Sequence, residues 1–254
     1  MKITFLGTSH AVNQKHRRCT AHLLEVNKTY YLIDAGASIN DLLLDRNIEI
    51  NKVKHIFTTH VHGDHIDGLF SYINLFYWYF KDETNIYITD PKFVDLILMY
   101  LETTHAKKID FPFDRIRFTV VDEDFTYEDE NIKVKAIETK HMEGSKSFAY
   151  LIEEIKTGKK VLFTSDLSWH LAENDFPQVE CNTMITELAH FSIEELKPYL
   201  DGFKGKAIYF NHVNSKEKFR QIAKLQKQYK YKLVIPNDDD VIRVWAGLLA
   251  FYNI

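Results

Sequence analysis

The residues with the clearest chemical potential lie in the stretch Thr-Thr-His-Val-His-Gly-Asp-His at positions 58–65. It places His60, His62, Asp64 and His65 within six residues. Neutral imidazole is the commonest nitrogen ligand of zinc, whereas protonated imidazoles held this close would repel one another. Four ligand-type side chains at this spacing favour a metal site. The alternative is a hydrated, histidine-rich loop or a pair of core histidines.

The elements around this stretch explain how it could be positioned. The apolar run Val53 to Phe57 is short, β-branched and aromatic, which predicts a buried strand. Gly63 interrupts the regular backbone, and a helix is predicted from Asp67 onward. The cluster is therefore expected on a strand-to-helix loop, where a rigid scaffold positions side chains that remain free to bind. The first two histidines can point to one side and the Asp-His pair to another, so one loop could supply two neighbouring metals.

Three more ligand-type residues are expected at strand ends. His141, Asp166 and His212 follow apolar runs that end at Ile137, Thr164 and Phe210. A single strand-end histidine or aspartate is usually a hydrated loop residue. Taken together, the three supply the ligands that a dinuclear site still needs after the first cluster.

Size and composition bound the remaining possibilities. The chain has 254 residues, 45% apolar and 27% charged, which fits one α/β domain over residues 1–254 with a sizeable core. The net charge of -4 gives no overall attraction to nucleic acid or to an anionic membrane. Cys19 and Cys181 form no CxxC motif, so a disulfide framework is not expected. The N-terminal apolar run is too short for a signal peptide, and we expect a soluble cytoplasmic protein without a membrane segment.

The rest of the pattern alternates strands and helices without a repeat or linker. The predicted strands are 2–6, 20–26, 29–33, 53–57, 86–89, 116–121, 132–137, 147–153, 160–164, 183–186, 207–210 and 232–235, with helices at 39–44, 91–104 and 216–229. Strands 116–121 and 132–137 are expected to form an antiparallel run, separated by a solvated acidic loop over 122–130.

The segment Leu69 to Phe80 contains seven aromatic residues. Core packing is the first interpretation, because a helix buried on one face needs bulky side chains there. The alternatives are a hydrophobic wall of the substrate pocket or the interface of a homodimer.

The stretch His60 to His65 resembles the HxHxDH signature of the metallo-β-lactamase superfamily. The opening strand with its Gly-Thr turn, followed by Ile-Asp-Ala-Gly at 33–36, is similar to that superfamily as well. The resemblance implies an αββα four-layer sandwich and a metal-dependent hydrolase. It also implies that Asp34 orients the ligand loop, as metal-bound histidines usually require. The alternative for Asp34 is a turn residue before glycine.

The later strand-end residues follow the order of the superfamily's later motifs. The resemblance therefore implies one metal held by His60, His62 and His141 and a second held by Asp64, His65 and His212, with Asp166 bridging them. Ligands of this kind without thiolate suit two zinc ions, with manganese or iron as alternatives. Two such ions would provide a bridging hydroxide for hydrolysis, with Asp64 and Asp166 also orienting the water.

Several segments are more similar to the ribonuclease Z and phosphodiesterase branch than to lactamases, among them Phe5 to Ser9 and Thr186 to Phe191. Only 24 residues separate His141 from Asp166, which leaves no room for the tRNA-gripping arm of ribonuclease Z. A small phosphodiester or nucleotide is therefore the expected substrate, and nucleic acid is a weaker alternative. The alternatives are an acyl hydrolase of lactones or thioesters, an RNA-processing endonuclease, or a metal-binding protein without activity.

The residues around the expected substrate are less well determined. Glu187 is expected to support the site from outside the ligand set, and His190 is a candidate general acid or phosphate contact. His10 could have the same role, although a hydrated loop residue is the simpler interpretation. Arg17 or Arg18 could contact a phosphate, or they could belong to a solvated basic loop.

Overall fold

Two sheets of seven strands each form the centre of the computed structural model, which describes residues 1–171 and 176–244. The first sheet has the order β14-β1-β2-β3-β4-β5-β6. Its strands, in chain order, are β1 (Lys2–Gly7), β2 (Ala21–Val26), β3 (Thr29–Ile33), β4 (Val53–Phe57), β5 (Thr84–Ile88), β6 (Ile116–Val120) and β14 (Val241–Arg243).

The second sheet contains the strands of the middle of the chain, in the order β13-β12-β11-β10-β9-β8-β7. They are β7 (Thr126–Glu128), β8 (Ile132–Thr139), β9 (Ser147–Glu154), β10 (Lys159–Phe163), β11 (Thr183–Leu188), β12 (Ala207–Val213) and β13 (Lys232–Val234). β9 and β10 pair as an antiparallel hairpin.

Helices cover the outer face of each sheet. They are α1 (Ile39–Leu44), α2 (Gly63–Tyr79), α3 (Lys92–His105), α4 (Ile193–Gly202) and α5 (Lys216–Leu225), with 3-10 turns at Ile50–Lys52 and Gln226–Gln228. Residues of α1, α2 and α3 form one apolar cluster with the outer face of the first sheet, and residues of α4 and α5 form another with the second sheet. A third cluster, which includes Phe57 and Tyr150, lies between the sheets. These layers form the predicted αββα sandwich.

Strand pairing explains why the ligand residues meet. β3, β4, β5 and β6 run parallel to one another, and so do β10, β11, β12 and β13. The carboxyl ends of parallel strands lie at the same edge of a sheet. The loops that follow β4, β10 and β12 carry or adjoin the predicted ligands, and both sheets present them at one edge of the sandwich.

Some local predictions are wrong. β6 and β8 belong to different sheets and do not pair, because β6 extends the first sheet beside β5 whereas β8 pairs with β7 and β9. The acidic loop 122–130 contains the short strand β7, whose alternating pattern is only three residues long. The sequence interpretation also missed α4 and β14, and α2 begins at Gly63 rather than Asp67.

The aromatic residues of α2 serve mainly as core. Tyr72 and Phe76 are fully buried, whereas Trp78 and Tyr79 are 40% and 75% exposed. The exposed pair lies at the far end of α2 from the histidine cluster, roughly 20 Å along the axis at 1.5 Å per residue. These two exposed aromatic residues therefore do not form a wall of the site, and the role of the segment in a homodimer stays a prediction. Across residues 1–171 and 176–244, no helix is both long and apolar enough to cross a membrane.

A partly buried polar network ties β4 to β7 at a distance from the ligands. The two ring nitrogens of His55 lie 3.1 Å from the hydroxyls of Tyr87 and Tyr127. Tyr127 and Tyr31 both donate to one oxygen of Asp129, at 2.8 and 2.5 Å. Burial lowers the pKa of His55 to about 4 against the opposing charge of Asp129. The neutral imidazole thus joins the two sheets by hydrogen bonds.

We expect the free energy of unfolding to fall by roughly 2 kcal/mol between pH 6.5 and pH 4 because of His55 alone. The folded pKa is depressed, so over this interval the unfolded chain binds the proton more readily and stability is lost as the pH falls. Urea unfolding of wild type and His55→Phe across this range measures the effect. The variant should be less stable at neutral pH and show a flatter profile; an unchanged slope would contradict the assignment.

Candidate metal centre

The loop after β4 brings four ligand-type side chains together. The extended residues 58–62 lead directly into α2, whose N-cap is His62. Asp64 and His65 therefore lie in the first helical turn, where the unpaired N–H groups and the helix dipole favour a negative charge. His60 remains on the extended segment and is fully buried. The earlier helix start thus places the Asp-His pair on α2, with the ring of His65 4.1 Å from that of His60.

Three histidines form the first group. The Nε2 atoms of His60 and His141 each lie 3.1 Å from Nδ1 of His62. The ring of His141 is roughly perpendicular to the rings of His60 and His62, at 75° and 90°. Ring nitrogens that converge in this way, from two different sheets, can hold one metal ion.

Asp64, His65 and His212 form the second group. The Nε2 atom of His212 lies 3.0 Å from Oδ2 of Asp64, and Nε2 of His65 lies 3.7 Å from the same oxygen. Asp166 lies between the groups. Its Oδ1 is 3.5 Å from His65, and its Oδ2 is 3.5 Å from His212 and 3.8 Å from His141. The structure therefore brings all seven predicted ligands into one cluster with Asp166 at its centre.

The protonation states of Asp64, His60 and His141 fit a metal, whereas the carboxylates of Asp166 and Asp34 outweigh burial and raise the pKa of His65. Although burial opposes it, the hydrogen bond from His212 lowers the pKa of Asp64 to about 2. Burial lowers the pKa of His60 and, more moderately, that of His141. Ionised carboxylates and neutral imidazoles are the forms that bind divalent cations. The Nε2 atom of His65 is buried and, within the described residues, has no hydrogen-bond partner, as expected of an atom reserved for a metal.

Asp34 holds two members of the ligand loop. Its Oδ2 lies 2.8 Å from Nδ1 of His65, and its Oδ1 accepts from the backbone N–H of Thr59 at 2.8 Å. The Thr59 hydroxyl lies within 3.0 Å of both carboxylate oxygens and 3.1 Å from Nδ1 of His60. Sequence interpretation did not single out Thr59. Asp34 thereby fixes the ring of His65 with Nε2 facing the centre, which a turn residue alone would not do.

Close backbone packing secures the start of α2 against the loop after β3. A Cβ on Gly36 would lie 1.6 Å from the carbonyl oxygen of Asp64, so no larger residue fits there. Ala35 donates its N–H to the His65 carbonyl at 2.7 Å and accepts from Gly68 at 2.7 Å. The Ile-Asp-Ala-Gly segment is therefore a mechanical support of the ligand loop.

His212 is aimed at the centre by an irregularity in β12. The register between β11 and β12 shifts so that Asn211 and His212 oppose the single residue Glu187. His212 has a φ of 53°, in the left-handed region that non-glycine residues seldom adopt. A bulge of this kind redirects a side chain at a sheet edge. The strand predicted to end at Phe210 continues to Val213, which makes His212 a bulge residue rather than a loop residue.

Glu187 and His190 form a pair beside the cluster. Glu187 is buried and accepts from the N–H groups of Leu167, Ala189 and His190 at 2.6 to 2.9 Å. It also lies 2.8 Å from Nδ1 of His190. Burial lowers the pKa of His190, but the hydrogen bond and charge of Glu187 outweigh it, so the net shift is upward. Nδ1 of His190 is 3.9 Å from Asp166, which places this imidazole next to the metal ligands.

The loop between β1 and β2 covers the opposite side of the centre. Ala11 donates its N–H to Oδ2 of Asp64 at 2.8 Å, and the ring of His10 lies 6.1 Å from that of His212. Arg17 does not face the ligands. Its guanidinium donates to Thr8 at 2.9 Å and to Asn237 at 3.0 Å, so it braces the loop instead of contacting a phosphate. The Arg18 backbone N–H donates to Asp238, which holds the same loop.

A small cavity lies below the cluster, and sequence interpretation gave no sign of it. Its volume is about 20 Å³, and it is lined in part by His22, Asn211 and His212. Asn211 Nδ2 lies 3.1 Å from Nε2 of His22, whose pKa burial lowers to about 3. The cavity is large enough for one water molecule. His22 thus contributes a neutral, buried polar wall behind the ligand His212.

The sequence profile of the family described as "Anti-Pycsar protein Apyc1" matches residues 1–235. Ribonuclease Z of Staphylococcus carnosus is 31% identical over 167 residues, which cover 63% of this chain and 52% of that protein. The chain thus spans about half the length of the curated relatives it matches.

Solved structures show the same fold. Human tRNase Z, short form, has a TM-score of 0.72 at 20% identity, covering 96% of this chain and 99% of that one. The metallo-β-lactamase fold protein YhfI from Bacillus subtilis has a TM-score of 0.74 at 14% identity, covering 95% and 99%. These similarities identify the two sheets and their flanking helices as the metallo-β-lactamase αββα sandwich.

We expect Asp34→Asn to weaken metal binding roughly 10- to 100-fold, because the amide cannot hold both Thr59 and the His65 imidazole in the same geometry. Competition with a chromophoric chelator measures the affinity directly. Asp67→Asn is the control, since Asp67 is an exposed acid on α2, the helix that carries the ligands Asp64 and His65. Equal affinity in wild type and Asp34→Asn would show that Asp34 does not support the ligand loop.

Proposed function

We propose that this chain, which belongs to the family of the anti-Pycsar protein Apyc1, is a dinuclear metal-dependent phosphodiesterase of small phosphodiesters or nucleotides. The observation that carries the proposal is the arrangement of six ligands in two groups of three around a seventh, Asp166. Such a set has the histidine and carboxylate composition that zinc prefers, with manganese or iron as alternatives. Two divalent ions there would lower the pKa of a water molecule so that hydroxide is available near neutral pH.

The protein's own residues complete the reaction. Asp64 and Asp166 accept hydrogen bonds from the attacking water and fix its direction toward phosphorus. Ala11 holds Asp64 in place through its backbone N–H. Glu187 holds Nδ1 of His190, leaving Nε2 to donate a proton to the departing alkoxide. His190 is therefore proposed as the general acid.

The short segment between His141 and Asp166, all of it described by the structure, supports a small substrate. The 24 residues between His141 and Asp166 form the β9–β10 hairpin, whose strands end at Glu154 and resume at Lys159. A four-residue turn cannot reach along a folded RNA. The similar ribonucleases cleave phosphodiester bonds, so the chemistry is proposed to be shared while the substrate is smaller.

Acyl hydrolysis is the second candidate. The same cluster could direct hydroxide at a carbonyl carbon, and the side chain that would grip a phosphate, Arg17, is engaged with Thr8 and Asn237. A lactone or thioester needs no such cation. The substrate panel below separates the two possibilities.

Protein reconstituted with zinc or manganese is expected to hydrolyse bis(p-nitrophenyl) phosphate, and Asp64→Ala should lose at least about 10³-fold in kcat/KM because a ligand and water-orienting group is removed. Release of p-nitrophenolate at 405 nm on the order of minutes reports the rate. Asp67→Ala, one turn along α2, should retain activity. Turnover of lactones or thioesters but not of phosphodiesters, with metal bound, would favour the acyl hydrolase.

Removal of His190 should affect poor leaving groups more than good ones. We expect His190→Ala to slow hydrolysis of a nucleoside cyclic phosphate by about 10²- to 10⁴-fold, because its alkoxide must be protonated. p-Nitrophenolate leaves without a proton, so the loss with bis(p-nitrophenyl) phosphate should be much smaller. Equal losses in kcat for both substrates would show that His190 contacts the phosphate instead of acting as the acid.

A further inference from the structure

Resting on the proposed phosphodiesterase function, we propose that Trp169 is a stacking platform for the base of a nucleotide substrate. The site would thus select nucleoside phosphates over phosphodiesters that carry no base. Three observations support this assignment: the place of the indole beside the catalytic cluster, its exposure, and the rigidity of the turn that carries it.

Trp169 packs against His190, and His190 lies between Trp169 and the metal ligands. Its ring centroid is 4.6 Å from that of His190, with the planes at 88°. His190 in turn stacks beside the ligand His212 at 5.7 Å and reaches Asp166 at 3.9 Å. A sugar separates base from phosphate in a nucleotide. With the phosphate at Asp166 and the leaving oxygen at His190, the base therefore falls in the region of Trp169.

The indole is exposed where burial would be expected of a structural residue. Trp169 is 67% exposed, more than the other described tryptophan, Trp78, at 40%. Trp78 has evident structural partners, since it donates to His105 at 2.8 Å and lies under the Lys107 ammonium at 4.6 Å. An aromatic surface left open beside a catalytic cluster provides stacking area for any base, because every base has a π-face.

The turn that carries Trp169 is fixed to the site on its N-terminal side. Leu167 donates its N–H to Glu187 at 2.6 Å, and its carbonyl lies 3.0 Å from Nδ1 of His141. Ser168 donates its hydroxyl to the His170 carbonyl at 2.8 Å, which closes the turn around Trp169. The backbone that carries the indole is thereby anchored to a metal ligand and to the support of His190. A preorganised platform loses little entropy when a base stacks on it.

The imidazole next to the indole also suits a nucleotide. The rings of Trp169 and His190 meet edge to face, with their centroids 4.6 Å apart. A purine or pyrimidine can therefore stack on the indole while its phosphate approaches the imidazole and the metals. Stacking involves the face of a base and not its hydrogen-bonding edge. We therefore expect the site to accept different bases and to discriminate against substrates that have no base.

The test compares adenosine 5′-monophosphate with ribose 5-phosphate as competitive inhibitors of bis(p-nitrophenyl) phosphate hydrolysis by the metal-loaded protein. In wild type, the base should improve inhibition roughly five- to one-hundred-fold. In Trp169→Ala the two compounds should inhibit almost equally, and Trp169→Phe should restore part of the difference. Trp78→Phe is the matched control and should keep the wild-type ratio.

Quenching of tryptophan fluorescence by adenosine 5′-monophosphate provides a readout that does not depend on turnover. Quenching should be saturable in wild type and Trp78→Phe and lost in Trp169→Phe. If bis(p-nitrophenyl) phosphate is not hydrolysed but this quenching is present, the proposed reaction fails while the platform stands. An unchanged inhibition ratio in Trp169→Ala, or quenching that persists in Trp169→Phe, would overturn the platform.

Discussion

The carboxylate of Asp166 lies among the imidazoles of His65, His141 and His212 and is almost completely removed from solvent. Burial alone would keep this group protonated, yet the surrounding imidazoles hold its pKa well below the ordinary range. A buried negative charge persists only if positive charge compensates it. The whole edge of the sandwich is arranged to satisfy this requirement, with two metal ions as the proposed source of compensation.

The residues that surround this charge are positioned by irregular backbone conformations at the ends of the strands. Asp34, Ser165 and His212 have φ values of 59°, 57° and 53°, all in the left-handed region. Each follows or interrupts a buried strand, and each adjoins or belongs to the cluster. Residues in such conformations persist where the surrounding structure determines them, and they concentrate at functional sites. The apolar core between the sheets, in which Phe57 and Tyr150 are fully buried, holds these residues in their left-handed conformations.

The ligand residues were predictable from sequence because their chemistry is local. The cluster at positions 60–65 combines scarce residue types after a clear strand, and His141, Asp166 and His212 each follow an apolar run. The supports were less visible. Thr59 is an ordinary residue type, and the bulge that aims His212 depends on the register between two strands. Arg17 was a candidate phosphate contact because its loop is basic, but its partner Asn237 lies 220 positions away in the chain. The false β6–β8 pairing has the same origin, since sequence proximity cannot show which sheet a strand joins.

The proposed dinuclear centre requires two metal ions that share Asp166, and anomalous diffraction from crystals of the zinc-loaded protein tests this most directly. Data collected on both sides of the zinc absorption edge should show two peaks. One should lie among His60, His62 and His141, the other among Asp64, His65 and His212, with Asp166 in contact with both. A single peak, or two peaks of which neither touches Asp166, would contradict the dinuclear centre.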